Sequence, residues 1–361
     1  MRLLPPRHWR LPIATGLVAL LVTSAGLAFW LSRPGGTTIA AVATGDRTGS
    51  IPLAARAKPG GDNQPSGLTE IASVPAGGLA PAGPAPVVTD GDGVRLAAIP
   101  RGDLVEKGKY GPLPRIGDDG TRPLDAYARP APSASGNVGR IAIVVGGLGV
   151  AESSTAETLD RLPGAVTLAF APYGQNLKAA LARAREDGHE ILLQVPLEPY
   201  NFPAINPGPH TLSTRAGASQ NLDDLRWLLS RITNYVGVVN YMGARFTSDT
   251  DAMGPVLAEL GKRGLLYLDD GSSPQSKAPD AAADRIPFLQ ADVVLDADTA
   301  PEAIDQRLDD LVRIARQRGF AIGTGSAFPS TIERINAFAA ASEKRGIILV
   351  PVTAVLSASR T

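Results

Sequence analysis

The chain has 361 residues, enough for one large domain or two ordinary ones. Its 35 basic and 35 acidic residues balance, so the basic face that nucleic-acid binding requires is not expected, and the absence of cysteine excludes disulfides, thiolate metal sites and cysteine nucleophiles. Only three histidines occur, His8, His189 and His210, which leaves little room for a histidine-rich metal site.

The N-terminal 31 residues have the pattern of a membrane anchor. Residues 1–10 contain Arg2, Arg7 and Arg10, whereas residues 11–31 contain no charged residue. About twenty apolar residues are enough to cross a bilayer as a helix, and preceding basic residues place the N-terminus in the cytoplasm. We predict a single-pass inner-membrane protein with its folded part in the periplasm; a cleaved signal peptide is the alternative.

Two segments of different composition follow the apolar run. Residues 32–103 are rich in Pro, Gly, Ala, Thr and Asp and almost lack aromatic residues. Such a segment cannot bury enough apolar surface to offset its ordering entropy, so we predict a disordered linker. Residues 104–137 contain tyrosines, leucines and an isoleucine among their turns, which indicates an extended strap that packs on the folded domain.

The remainder of the chain, residues 138–361, alternates short apolar runs with helix-like stretches. Most runs are almost continuously hydrophobic, as parallel strands buried on both faces are. The runs lie at residues 141–145, 166–170, 191–195, 236–240, 265–269, 293–296, 321–325 and 348–352. This alternation predicts an α/β fold with a parallel sheet, either a β/α barrel or a doubly wound open sheet.

Polar residues collect where the predicted strands end, which is where β/α folds carry their sites. The candidate substrate-binding residues are Gln194, His210, Asn240, Tyr241, Arg245, Ser272, Thr324 and Ser326. The candidate catalytic acids are Glu198, Asp269 and Asp270.

Each candidate also has a structural interpretation. Glu198 could act as a general base or could cap backbone N–H groups, and Arg245 could hold an anionic group or form a structural ion pair. A structural role is favoured for His210. Asp269 and Asp270 are adjacent, and neighbouring residues of an extended chain point in opposite directions. Only one of them is therefore expected to face a ligand, and the other is expected to cap a turn.

A glycine-rich stretch, VVGGLGVAES, follows the first predicted strand and contains Gly146 and Gly147. The dinucleotide pattern G-x-G-x-x-G requires a third glycine where Glu152 stands, and the second strand lacks the acidic residue that would bind a ribose hydroxyl. Nucleotide binding is therefore disfavoured, and a tight strand-to-loop turn explains the glycines.

Seven ordered blocks resemble the divergent polysaccharide deacetylase family over roughly residues 138–356. They read RIAIVVGGLGV, LPGAVTLAFAPY, GHEILLQVPLEP, NPGPHTL, YVGVVNYMGARFT, GLLYLDDGSS and AIGTGSAFPSTI. The resemblance implies a NodB-like β/α barrel of seven or eight strands behind an anchor or export signal. It also implies, for typical members, a zinc ion that activates water against an acetyl carbonyl.

The resemblance fails at the metal-ligand positions. The family usually carries two aspartates where Gly146 and Gly147 stand, and histidines where Tyr241 and Ser326 stand. Glycine offers no donor atom, and neutral tyrosine and serine bind zinc poorly. We therefore expect no metal cofactor.

The sequence thus predicts a pseudoenzyme of the cell envelope that binds a glycan or an envelope partner in the former catalytic cleft. The alternative is an active carbohydrate deacetylase or hydrolase that uses Glu198, His210, Asp269 or Asp270.

Overall fold

The computed structural model describes residues 88–90, 93–132, 138–283 and 285–358. The predicted cytoplasmic segment (1–10), the predicted anchor (11–31) and the predicted linker up to residue 87 lie outside these parts. Within them, no helix combines the length and the apolar character needed to span a bilayer.

Two short antiparallel hairpins precede the main sheet. β1 (Val88–Asp90) pairs with β2 (Gly93–Arg95), and β3 (Val105–Lys107) pairs with β4 (Pro112–Pro114). A single 3₁₀ turn, Gly102–Leu104, separates the two hairpins.

The main sheet has nine strands, and every pair of neighbours in it is parallel. Its strands are β5 (Gly139–Leu148), β6 (Thr167–Phe170), β7 (Ile191–Leu197), β8 (Gly237–Met242), β9 (Leu266–Asp269), β10 (Phe288–Gln290), β11 (Val293–Val294), β12 (Phe320–Ser326) and β13 (Ile347–Leu349). Every predicted apolar run overlaps one of them. The α/β class and the parallel sheet are therefore confirmed.

The sheet curls as a barrel does. Spatial order follows chain order from β5 to β10, whereas a doubly wound sheet reverses its order in the middle. β10 pairs with β9, and β11 pairs with β12, yet only Ala291 and Asp292 separate β10 from β11. The Ala291 N–H donates to Asp269 O at 2.9 Å, and the Asp292 N–H donates to Ile322 O at 2.8 Å. The last strands at the two ends of the sheet are thus consecutive in the chain, and the open-sheet alternative is wrong.

Helices connect the strands and cover the sheet. They are α1 (Pro123–Ala126), α2 (Glu152–Arg161), α3 (Leu177–Glu186), α4 (Ala218–Leu229), α5 (Thr250–Lys262), α6 (Ala278–Ala282), α7 (Pro301–Arg318), α8 (Pro329–Ala340) and α9 (Val352–Ala358). The long helix α7 ends where Gly319 adopts the left-handed conformation (φ 89°) that terminates helices.

The two faces of the curled sheet bury different side chains. Ile141 and Ile143 of β5 pack in one hydrophobic cluster with the surrounding helices. The alternate residues Ala142 and Val144 pack in a second cluster with Leu192, Leu266, Leu268 and Ile322 from other strands, inside the curl. Because side chains alternate along a strand, this pattern determines which polar residues at the strand ends face the interior.

The segment before the sheet packs against it. Leu104 is completely buried, and Leu124 and Tyr127 join the cluster inside the curl. The packed segment begins earlier than residue 104, the predicted start of the strap. Leu96 is buried and its N–H donates to Arg185 O at 2.9 Å. The composition of residues 93–103 resembles a linker, but the buried Leu96 attaches the segment to the domain, and so do hydrogen bonds such as that from Asn234 Nδ2 to Ala98 O at 2.6 Å.

Candidate functional site

The carboxyl end of β5 has two glycines where an acidic pair is expected from the family pattern, and Gln194 fills the space beside them. A Cβ atom on Gly146 would lie 2.5 Å from Gln194 Nε2. The Gly147 N–H donates to Gln194 Oε1 at 2.8 Å. Gln194 belongs to β7 and reaches across β6, whose interior residue Ala169 is small. The glutamine amide therefore occupies the volume that an aspartate at residue 146 would need.

The donor atoms required by zinc are missing around this position. Tyr241 is 40 % exposed, and Ser326 uses its N–H to donate to Asp296 Oδ2 at 2.6 Å. In the described parts of the chain, no three His, Asp or Glu side chains lie close enough together to hold a metal ion. The residues at the family's metal positions do not fit a zinc ion.

The contact between Gly146 and Gln194 leads to a testable prediction. Gly146→Asp alone should lower the free energy of unfolding by about 1 kcal/mol, because the Gln194 amide must turn away and lose the hydrogen bond from the Gly147 N–H. Gln194→Ala creates the missing space, so the double variant should recover part of this loss. Equilibrium urea unfolding of the unmodified protein, the two single variants and the double variant gives the coupling energy between residues 146 and 194, which should exceed about 0.5 kcal/mol. Additive effects would show that the two side chains do not compete for the same volume.

Glu198, just after β7, connects two loops of this edge. Its side chain is completely buried, and its Oε2 accepts hydrogen bonds from Ser213 Oγ (2.9 Å) and from the N–H (2.6 Å) and hydroxyl (2.8 Å) of Thr214. Its backbone carbonyl accepts from the N–H groups of Arg245 and Phe246. The capping interpretation of Glu198 therefore describes its contacts.

Glu198 is held in its ionised form. Burial by itself raises the pKa of this carboxyl, but the bonds from Thr214 and Ser213 and the nearby Arg245 guanidinium outweigh burial and leave the pKa below its ordinary value. A general base requires a pKa near the working pH, so these contacts oppose that use.

Asp269 and Asp270 follow one another at the end of β9, and both carboxylates accept backbone hydrogen bonds in the turn. Asp269 is buried and caps the turn after β9: its Oδ1 accepts from the Gly271 N–H (3.0 Å) and its Oδ2 from Ser276 Oγ. Asp270 follows the interior positions Leu266 and Leu268 in the strand alternation. Burial raises the pKa of Asp270 above its ordinary value, and hydrogen bonds from Ser272 partly oppose the rise. Asp270 is thus the interior acid of the pair.

A hydrogen-bond network joins three strand ends around Asp270. The Asp270 N–H donates to Asn240 Oδ1 at 2.9 Å, and its carbonyl accepts from Thr324 Oγ1 at 2.8 Å. Asn240 also donates to Met242 O at 2.8 Å. Asn240 and Thr324 are buried, so their side chains hold β8 and β12 against the end of β9. Ser272 is exposed beyond them.

His210 belongs to a separate aromatic cluster. Its Nδ1 lies 2.7 Å from Asp224 Oδ1, and its ring stacks on Trp227 with 4.0 Å between centroids. Tyr173 lies beside the same indole and donates its hydroxyl to Pro209 O. These contacts fix the loop that carries His210, in line with a structural role. No hydrogen bond or ion pair in the described part of the chain links this cluster with the acids discussed above.

Asp296 is a site residue that the sequence argument missed. It follows β11, and its Oδ2 accepts from the Ser326 N–H and from Thr331 Oγ1 (3.0 Å). The signal was present, because an acid directly after an apolar run was the pattern that identified Asp269.

Exposed apolar side chains surround the same edge. Within the described ranges, six large hydrophobic residues are exposed, and five of them lie at or just after a strand's carboxyl end. The five are Val150, Tyr200, Ile205, Tyr241 and Phe328. The sixth, Ile99, lies before the sheet. We call the five residues the apolar rim.

Comparison with known proteins agrees with this architecture. The family model described as "Divergent polysaccharide deacetylase" matches residues 143–356. The crystal structure of the uncharacterized protein ATU2773 from Agrobacterium tumefaciens is similar to this chain, with 46% sequence identity and a TM-score of 0.66. The match covers 68% of this chain and 99% of ATU2773.

Two curated relatives are more distant. The uncharacterized protein YibQ from Escherichia coli is 24% identical over 195 residues, which are 54% of this chain and 60% of YibQ. An uncharacterized protein from Haemophilus influenzae is 24% identical over 199 residues, which are 55% of this chain and 70% of that protein. The match therefore spans less than two thirds of YibQ. With more than half of its length matched by the family model, this chain belongs to the divergent polysaccharide deacetylase family.

Proposed function

We propose that this protein is a membrane-anchored, periplasm-facing member of its family that binds a glycan in the cleft at the carboxyl edge of the sheet, without the zinc-dependent hydrolysis of typical members. The observation that carries the proposal is the Gln194 amide. It fills the volume beside Gly146 that an acidic ligand would occupy.

The remaining acids support a binding role. Glu198 and Asp269 use their carboxylates to hold the protein's own loops, and Asp296 does the same for Ser326 and Thr331. Asp270 is the acid whose position in the strand alternation faces the interior. A single interior carboxyl provides hydrogen bonds to a ligand more readily than it provides the paired acid and base that hydrolysis requires.

The apolar rim supports a ligand with apolar ring faces. Sugar rings offer such faces between their hydroxyl groups, and exposed aromatic side chains contact them at little entropic cost. Tyr241 is a rim residue that itself stands at one of the family's metal-ligand positions. The anchor part of the proposal depends on the uncharged run of residues 11–31.

The full-length chain, recovered from the membrane fraction in detergent, tests this function. N-acetylglucosamine oligomers should bind in calorimetry, with no stoichiometric metal in elemental analysis and no acetate release. Tyr241→Ser should weaken binding about tenfold, because losing an aromatic interface side chain costs roughly 1–2 kcal/mol. Ile99→Ser removes an exposed apolar side chain away from the strand ends and is the matched control.

Three results would each contradict a part of the proposal. Stoichiometric zinc together with acetate release that disappears in Glu198→Ala or Asp270→Ala would establish the active-hydrolase alternative. If the protein binds no glycan, neutral or acidic, the proposed glycan-binding function is wrong. Recovery of the chain from the soluble fraction would contradict the anchor.

A further inference from the structure

Arg245 has a fixed backbone and a free guanidinium end. Its N–H donates to Glu198 O at 3.2 Å, and its carbonyl accepts from Ser248 Oγ at 2.7 Å. Its side chain is 42% exposed. Arg245 therefore extends from a rigid loop at the carboxyl edge of the sheet into solvent.

The contact between Arg245 and Glu198 is incomplete as an ion pair. Arg245 Nε lies 3.6 Å from Glu198 Oε1, beyond hydrogen-bond distance. All three side-chain hydrogen bonds of Glu198 go to Oε2, and Oε1 is buried with no hydrogen-bond partner. A well-formed structural pair between these groups would be bidentate at about 2.7–2.9 Å. Instead Glu198 attracts only the Nε side of the guanidinium.

The outer part of the guanidinium is left for a ligand. Within the residues that the structure describes, neither terminal nitrogen of Arg245 donates a hydrogen bond to the protein. Two parallel N–H groups on a planar fork match the two oxygens of a carboxylate. The Glu198 carboxylate attracts the Nε side of the guanidinium and so orients the Arg245 side chain. The side chain therefore loses little rotational freedom when an anion binds.

We propose that Arg245 binds the carboxylate of an acidic sugar, so that the glycan recognised in the cleft is anionic. This inference depends on the proposed glycan-binding function and specifies its substrate class. Tyr200 follows Glu198 by two residues, and Tyr241 lies in register with Pro196 of the neighbouring strand. Both tyrosines belong to the apolar rim, on the same two chain segments that place Arg245.

The acids of the cleft do not prevent this binding. Asp269, Asp270 and Asp296 already accept hydrogen bonds from the protein. The Glu198 carboxylate lies 3.6 Å from Arg245 Nε, so its charge is directed at Arg245. An anion that approaches from solvent meets the terminal nitrogens of Arg245 first.

The experiment compares ligands that differ only in charge. Tetragalacturonate should bind the full-length protein about 10- to 100-fold more tightly than its methyl ester, because a bidentate charged hydrogen bond is lost in the ester. Arg245→Gln should abolish this preference, whereas its affinity for the ester should be unchanged. Arg245→Lys keeps the charge but loses the fork and should retain only part of the preference.

A matched control removes the same charge nearby. Arg215 is exposed and next to Thr214, which holds Glu198. Arg215→Gln should therefore leave the preference for the acid form intact. If Arg245 is only a structural partner of Glu198, Arg245→Gln would lower the stability of the protein and would weaken the binding of the acid and of the ester equally. That result would show that the inference is wrong.

The remaining outcomes separate the inference from the function on which it depends. Equal binding of acid and ester would overturn the inference and leave glycan binding standing. No binding of either form, or of neutral oligomers, would overturn both. Carboxylates occur on uronic acids and on lactyl ethers of amino sugars. Comparing the binding of a muramic-acid-containing oligosaccharide with that of its carboxyl-amidated form therefore tests whether the carboxylate of a lactyl ether is recognised, as distinct from that of a uronic acid.

Discussion

Gly188→Ala is expected to lower the free energy of unfolding by more than about 4 kcal/mol, a loss seen only for severe core and backbone conflicts. Gly188 has a φ of 87°, in the left-handed region that favours glycine. A Cβ at this residue would lie 2.1 Å from Val94 O and 2.4 Å from Arg129 Nη1. The carbonyl of Gly188 also accepts a hydrogen bond from Arg129 at 2.9 Å. The substitution thus displaces the segment before the sheet as well as straining the turn.

Gly319→Ala separates the two contributions. Gly319 has nearly the same φ, 89°, but a Cβ there would meet nothing within 4 Å. Its loss should be about 1–2 kcal/mol, the cost of a left-handed conformation for alanine. Equilibrium urea unfolding followed by circular dichroism measures both variants. Equal losses in the two variants would show that residues 93–132 do not pack tightly at Gly188.

Acidification is expected to cost about 3 kcal/mol of stability through His189 alone. The side chain is completely buried, its Nδ1 lies 2.7 Å from Val166 O, and its Nε2 has no partner. Burial lowers the pKa of His189 from 6.5 to about 4. Between these values the unfolded chain takes up a proton and the native protein does not. Stability is therefore lost as the pH falls from 6.5 toward 4.

A variant isolates this effect from the other groups. Burial raises the pKa of the neighbouring Glu190, so that carboxyl contributes with the opposite sign, favouring the native state at low pH. His189→Asn keeps a donor for Val166 O but does not titrate. The stability difference between pH 7 and pH 4 should be about 3 kcal/mol smaller in this variant, because the acids contribute equally to both proteins. An unchanged difference would show that His189 is protonated in the native state.

The fold was largely predictable because its signals are local. Continuous apolar runs identified the strands of the main sheet. Burial on both faces requires such runs in a parallel strand, whatever the rest of the chain does. The start of the packed segment was not predictable, because it depends on the burial of Leu96 and on hydrogen bonds to residues far along the chain, such as Arg185 and Asn234.

The site was predictable as a set of positions but not as contacts. The alternation of strand side chains distinguished the positions of Asp269 and Asp270, but only the structure shows that both carboxylates accept hydrogen bonds in the turn after β9. The sequence could not show that Gln194 reaches Gly147, since the two residues are 47 positions apart and belong to strands separated by β6. Nor could it show that Asp224 and Trp227 hold His210.

The sequence by itself determined the α/β class, the strand-and-helix alternation and the presence of glycines, which have no donor side chain, at residues 146 and 147. Each of these is a property of residue type and short-range spacing. Only the tertiary structure decided that the Gln194 amide fills the space beside Gly146 and that Glu198 orients Arg245. Both arrangements join residues from different strands or loops, and contacts of that kind exist only after the sheet has curled and brought its strand ends together.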